Sequence, residues 1–292
     1  MDDDAPLILI GGTGFLGTAL AAHFAAAHLG TEAREVAVIG RGDWASGKAE
    51  AIGASLSDRG PLVVDLAHLA GPPAANLEAT VRHLDFARGI AASRYLFVSS
   101  GGAIYGDQGD APLAEDAPLK PISPYGIAKL AGEQLAASYR RRGLPVMIVR
   151  PSNIYGPGQL PFRGQGLVAT AFGAALAGRP VTLFGDGSQR RDYLFIDDFC
   201  SGIEAILSRG AVGGTYNLGC GVATRADDLL AMIGRISARD GFPLALDPAS
   251  ARPSDVAANL LDISKIKHDT GWVPRVGLEQ GLERSWAWIR AA

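Results

Sequence analysis

The first half of the chain is punctuated by short apolar runs, each closed by glycine or polar residues. Residues 7–10, 36–39, 62–66, 95–98 and 146–149 are of this kind. Runs of four or five mostly apolar positions without alternation mark strands buried on both faces of a sheet. Between them, residues 18–29, 76–92 and 125–139 read as helices; in 76–92, Leu77, Val81, Leu84 and Phe86 fall roughly on one side. Strands alternating with helices predict βαβ units, hence an α/β fold with a doubly wound, mostly parallel sheet and right-handed crossovers.

The second half differs in texture. Residues 156–190 carry Gly- and Pro-rich turns around a helix at 167–176 and a strand at 181–184. Residues 197–207 read as a helix, 215–218 as a strand that returns to the main sheet, and 221–292 as two or three helices with loops. The expected division is a parallel-sheet domain over 1–155, rejoined by 192–220, and a smaller mixed C-terminal lobe from 156–191 and 221–292. Such a lobe would lie over the carboxyl ends of the strands, where open α/β sheets bind ligands.

Composition narrows the functional classes. The 292 residues are 48% hydrophobic and 20% charged, an ordinary globular balance that argues against wholesale disorder. A formal charge of -3 gives no reason to expect nucleic acid or an anionic membrane as partner. No apolar run reaches the roughly 18 residues of a membrane span, and the acidic start is the reverse of a signal peptide. A soluble, cytoplasmic protein is expected. Cys200 and Cys220 cannot build a disulfide framework. His23, His28, His68, His83 and His268 show no ligand spacing, so no metal is expected. The histidines read as structural or surface residues, and Trp286 and Trp288 as C-terminal helix packing.

The chemistry concentrates in two motifs. Gly11-Gly12-Thr13-Gly14-Phe15-Leu16-Gly17 follows the first strand and opens a helix. Glycines there let the backbone approach a pyrophosphate, while the helix start supplies N–H donors. The second strand ends Ile39-Gly40-Arg41, and a guanidinium at that place favours a 2′-phosphate, tipping the choice between NAD and NADP toward NADP. Tyr125 and Lys129 stand four residues apart after a Pro121-Ile122-Ser123-Pro124 helix start, hence on one face. A cation beside a phenol favours the phenolate, and lysines are scarce: only five among 27 basic residues. Ser99 and Ser100 end the strand before them.

With these motifs the chain resembles the extended short-chain dehydrogenases/reductases, specifically nucleotide-sugar epimerases and dehydratases similar to UDP-galactose 4-epimerase. Further landmarks are the segments 99–106, 150–158, 185–193, 216–219, 252–255 and 271–274. The resemblance implies a Rossmann-type fold. It also implies a nicotinamide cofactor held by Gly11, Gly14, Phe15, Leu16, Gly17, Arg41, Leu66, Ala67, Ser99, Tyr125, Lys129 and Pro151. A nucleoside-diphosphate sugar would meet Asn153, Arg191, Arg252 and Asp255, with the arginines facing the diphosphate. Tyr125 would take a proton from a sugar hydroxyl while hydride leaves the same carbon.

Departures from the family pattern shape the reading. Gly101 stands where relatives carry a serine or threonine, leaving Ser100 as the nearest hydroxyl. Gly102-Ala103 replace the Asp-Glu pair that 4,6-dehydratases use, and neither can move a proton. Asp65-Leu66-Ala67 stands in place of His-Leu-Ala, and no acidic residue beside adenine is identifiable. The expected activity is therefore an NDP-sugar 4-epimerase, with Tyr125, Lys129 and Ser100 as the catalytic group. An NADPH-dependent 4-ketosugar reductase and a non-catalytic NAD(P)-binding sensor are the alternatives. A homodimer packed through the 76–92 and 125–139 helices is expected.

Overall fold

In the computed structural model, residues 5–26, 34–68, 72–163, 166–251 and 256–292 are described. The chain runs through β1 (Leu7–Ile10), α1 (Phe15–Ala26), β2 (Val36–Ile39), α2 (Arg41–Ala45), α3 (Lys48–Leu56), β3 (Leu62–Asp65), α4 (Pro73–Gly89) and β4 (Arg94–Val98). It continues through α5 (Gly101–Ile104), α6 (Pro124–Arg140), β5 (Val146–Pro151), β6 (Asn153–Tyr155), α7 (Leu167–Leu176), β7 (Val181–Phe184) and β8 (Arg190–Phe195). The remainder is α8 (Ile196–Arg209), β9 (Thr215–Leu218), β10 (Ala223–Arg225), α9 (Ala226–Ala238), β11 (Leu246–Ala249), β12 (Ala258–Asn259), α10 (Ser264–Thr270) and α11 (Leu278–Ala291).

The main sheet has the order β2-β1-β3-β4-β5-β9, with every neighbouring pair parallel. This is the doubly wound α/β sheet read from the apolar runs, of the Rossmann type that the resemblance implies. Both faces of the sheet are covered, which is why the strands show no polar alternation. Leu7 and Leu9 enter one core with α1, α8 and the C-terminal helices, while Ile8 and Ile10 enter the other with α3, α4 and α6. The chain steps from β1 to β2 and then to β3 on the other side of β1. That reversal opens a crevice at the carboxyl ends of β1 and β3.

Several boundaries shift for local reasons. Helix α1 starts at Phe15, directly on the glycine loop, and the expected end of that helix lies outside the described residues. Helix α4 starts three residues early because Pro73 fits the first helical turn, where its missing N–H is not needed. Between β2 and β3 the chain forms α2, α3 and a 3-10 turn, so β2 is an edge strand. Strand β8 lies at the centre of a small mixed sheet with β6, β10 and β12, and β7 pairs with β11. No helix among the described residues is long and apolar enough to cross a membrane.

Candidate active site

The glycine loop is shaped by close approach. Gly11 adopts φ +77°, and a Cβ there would lie 2.9 Å from the Ala67 backbone. A Cβ on Gly17 would lie 2.2 Å from the Gly12 Cα, so only glycine lets α1 seat against the loop. At Gly14, by contrast, a Cβ would meet nothing nearer than the Gly11 carbonyl at 3.8 Å. The floor at the start of α1 is therefore open, with Phe15 and Leu16 beginning the helix. Such a cradle fits a pyrophosphate.

Ala67 is held against this loop from below. Its N–H donates to Asp65 Oδ1 at 3.0 Å, while Asp65 Oδ2 meets His83 Nδ1 at 3.0 Å and accepts from the Tyr95 hydroxyl at 2.6 Å. Burial alone would raise the Asp65 carboxyl. The His83 charge and these hydrogen bonds outweigh it and hold the carboxyl below its usual range. His83, read as a lone structural histidine, is thus half of a buried pair, with Trp44 stacked on its ring at 4.9 Å.

Helix α6 brings the second motif to the same crevice. Ser123 caps it by accepting from the Gly126 N–H at 3.1 Å, and Pro124 takes the first turn. A Cβ on Gly126 would lie 2.3 Å from the Ala103 carbonyl, so this glycine lets α5 press onto α6. Ser100 stands at the N-cap of α5, and its side chain holds the Tyr125 phenol down. Lys129 is buried and donates to the Val98 carbonyl at 2.9 Å. Burial lowers its pKa to about 8, against the opposing charges of Asp65 and Glu133.

One electrostatic expectation is corrected. The Lys129 ammonium was expected to pull the Tyr125 phenol down, yet its Nζ is 6.0 Å from that ring and bonded to Val98. Desolvation pushes the phenol above its ordinary 10.0, and the Ser100 hydrogen bond opposes this. His68, also read as structural, stands edge-on to Tyr125 with ring centroids 4.7 Å apart. Desolvation, then the Lys129 charge, hold its imidazole below the usual range against a hydrogen bond with Asn76. Its place three residues after β3 was the available signal.

Ser99 follows β4, its N–H donating to the Val149 carbonyl at 2.8 Å and its buried Oγ lacking a partner. Pro151 ends β5 opposite Leu218. Asn153 donates to the Asp192 carbonyl at 3.2 Å, and its Oδ1 would lie 3.6 Å from a Cβ on Gly102. Arg191 lies on β8 opposite Asn259, which donates to the Gly101 carbonyl at 3.0 Å, so β8 and α5 share a wall. Asp192 accepts from the Cys220 and Gly221 N–H groups, and Asp197 from Arg284. Arg252 and Asp255 lie outside the described residues. Arg41 is exposed at the start of α2. Among the described residues no group of three His, Cys, Asp or Glu side chains is placed to hold a metal.

A family model for the NAD dependent epimerase/dehydratase family matches residues 7–219, the span that contains both motifs. The chain belongs to the NAD dependent epimerase/dehydratase family. It is 35% identical over 222 residues to a UDP-glucose 4-epimerase of Mycolicibacterium smegmatis, covering 74% of this chain and 68% of that one. It is also 35% identical to dTDP-glucose 4,6-dehydratases of Xanthomonas campestris, of which it spans 58%. The UDP-glucose 4-epimerase of Thermotoga maritima, solved with UDP-glucose, superposes with TM-score 0.81 at 28% identity over 98% of this chain and 99% of that one. The dTDP-glucose 4,6-dehydratase DesIV of Streptomyces venezuelae, solved with NAD, gives 0.85 at 26% over 98% and 97%. This chain is therefore an enzyme of an NAD-dependent nucleotide-sugar family. The NADP preference drawn from Arg41 finds no support in these relatives.

Within the family the departure at Gly101 now has a structural cause. A Cβ there would lie 2.6 Å from Leu261 Cδ1 and 2.9 Å from the Arg150 carbonyl, so a serine has no room. Tyr105 is turned away from this position. Its hydroxyl donates to Asn217 Oδ1 at 2.7 Å and accepts from Arg150 at 3.0 Å, both deep in the core. Ser100 is the hydroxyl that reaches Tyr125.

Proposed function

We propose that this chain is a nucleoside-diphosphate-sugar 4-epimerase using NAD. The observation that carries the reading is the Ser100–Tyr125–Lys129 arrangement beside Gly102-Ala103, two positions that supply no acid–base pair for elimination. The glycine cradle and the Leu66-Ala67 edge hold the dinucleotide, and bound NAD supplies a hydride acceptor that can also return hydride. Tyr125 takes the proton of the sugar 4-hydroxyl and later gives it back. Ser100 orients the reacting oxygen through its hydrogen bond with the phenol. Lys129 holds a ribose hydroxyl from its buried seat. Asn153, at the end of the 1–155 domain, and Arg191, Arg252 and Asp255, from a lobe made of 156–191 and 221–292, bind the nucleoside diphosphate.

Purified protein given UDP-glucose or dTDP-glucose with trace NAD should form the C4 epimer, read by proton NMR. A 4-keto-6-deoxy product would contradict the epimerase reading. Reduction of an NDP-4-keto sugar with net NADPH consumption would favour the reductase, which needs the same Tyr125 and Lys129.

We also propose a homodimer formed through α4 and α6. A shallow apolar groove of about 730 Å³ runs between them, lined by Leu77, Val81, Ala131 and Leu135. Sedimentation should report twice the chain mass at micromolar concentration. A monomer there would remove the proposal.

A further inference from the structure

The edge of the crevice at the end of β2 carries a carboxylate that the sequence pattern hides. Dinucleotide-binding sheets commonly place an acidic residue at the end of the second strand, where it accepts hydrogen bonds from the adenosine ribose. Here Gly40 holds that place, beside the loop: the Gly11 N–H donates to the Ile39 carbonyl at 2.8 Å. Three residues on, Asp43 folds back. Its Oδ2 accepts from the Gly40 N–H at 2.8 Å, and its Oδ1 lies 3.2 Å from Lys48 Nζ. A Cβ on Gly40 would point at both partners of this corner, 3.6 Å from Asp43 Oδ2 and 3.8 Å from Thr13 Oγ1 of the glycine loop. The carboxylate thus fills the space that a side chain on residue 40 would reach.

Resting on the reading of this crevice as the nicotinamide dinucleotide site, we propose that Asp43 is the acceptor for the adenosine ribose and the residue that selects NAD over NADP. A carboxylate has about four lone-pair sites, and two neighbours leave room for ribose hydroxyls. The Gly40 N–H, then Lys48, hold the Asp43 carboxyl below its usual range, so it is anionic at neutral pH. A 2′-phosphate brought to the same corner would meet that charge at short range, which disfavours NADP. Arg41 is exposed and begins α2, and in this proposal the discrimination falls to Asp43 rather than to it.

The test is binding, without turnover. Dissociation constants for NAD and NADP are measured by calorimetry on wild type, Asp43→Asn and Arg41→Ala, with thermal melts confirming folding. Asn retains an oxygen for the Gly40 N–H, so the turn survives while the charge is lost. Asp43→Asn should weaken NAD about ten- to a hundredfold, the scale of a lost hydrogen bond to a charged group, while NADP binds as well as before or better. Arg41→Ala should leave the NAD/NADP ratio unchanged. Equal losses for both dinucleotides in Asp43→Asn, no loss, or a ratio set by Arg41 would each overturn the assignment. If wild type binds neither dinucleotide, the crevice itself is misread. If it binds NAD but yields no epimer, only the proposed activity fails.

Discussion

Tyr125→Phe is expected to keep the fold and NAD binding while lowering turnover by at least the roughly 10²–10⁴ of a removed general acid–base group. The phenol lies beside Ser100 and is flanked by His68 and Lys129. In the free protein its titration should lie above 10.0, because desolvation dominates and the Lys129 ammonium is engaged at Val98. The tyrosinate absorbance difference between wild type and Tyr125→Phe, followed with pH, isolates this group from the other tyrosines. Steady-state rates close to wild type in the variant would end both the epimerase and the reductase readings.

Glu133→Ala should be the most damaging change to stability. Arg150 is buried, with Nε and Nη2 donating to Glu133 at 3.0 and 2.7 Å and Nη1 to the Tyr105 hydroxyl and Glu115 carbonyl at 3.0 and 2.8 Å. This pair joins α6, which carries Tyr125 and Lys129, to β5. Removing one partner leaves a buried charge uncompensated, at a cost of about 3–5 kcal/mol. At about 2–4 °C per kcal/mol, the melting temperature should fall by roughly 6–20 °C. Replacing both partners with apolar residues, as in Glu133→Leu with Arg150→Met, should restore much of the loss. A Glu133→Ala melt within about 2 °C of wild type would show that water reaches Arg150.

The apolar runs made the six-stranded sheet legible because its strands are buried on both faces, and the glycine loop and the Tyr125–Lys129 spacing announced the crevice chemistry. Pairings across long separations in sequence were not legible. Asp65 meets His83 and Tyr95, Glu133 meets Arg150, and Ser100 meets Tyr125 only because the sheet order and the α5–α6 contact bring them together. Two departures in the sequence are compensated in space. Leu261 and the Arg150 carbonyl close the position at Gly101, and Asp43 reaches back over the one at Gly40. Pattern reading saw the missing side chain in each case but not its neighbour.

The most direct measurement follows the hydrogen at the sugar's C4. UDP-glucose deuterated at C4 is incubated in ordinary water with the protein and trace NAD, and the product is read by NMR and mass spectrometry. Transient oxidation at C4, with return of the same hydride to the opposite face, predicts a C4 epimer that keeps its deuterium, with no net change in NAD. Deuterium lost to water, label moved to C6 with loss of the 6-hydroxyl, or stoichiometric formation of reduced cofactor would contradict it.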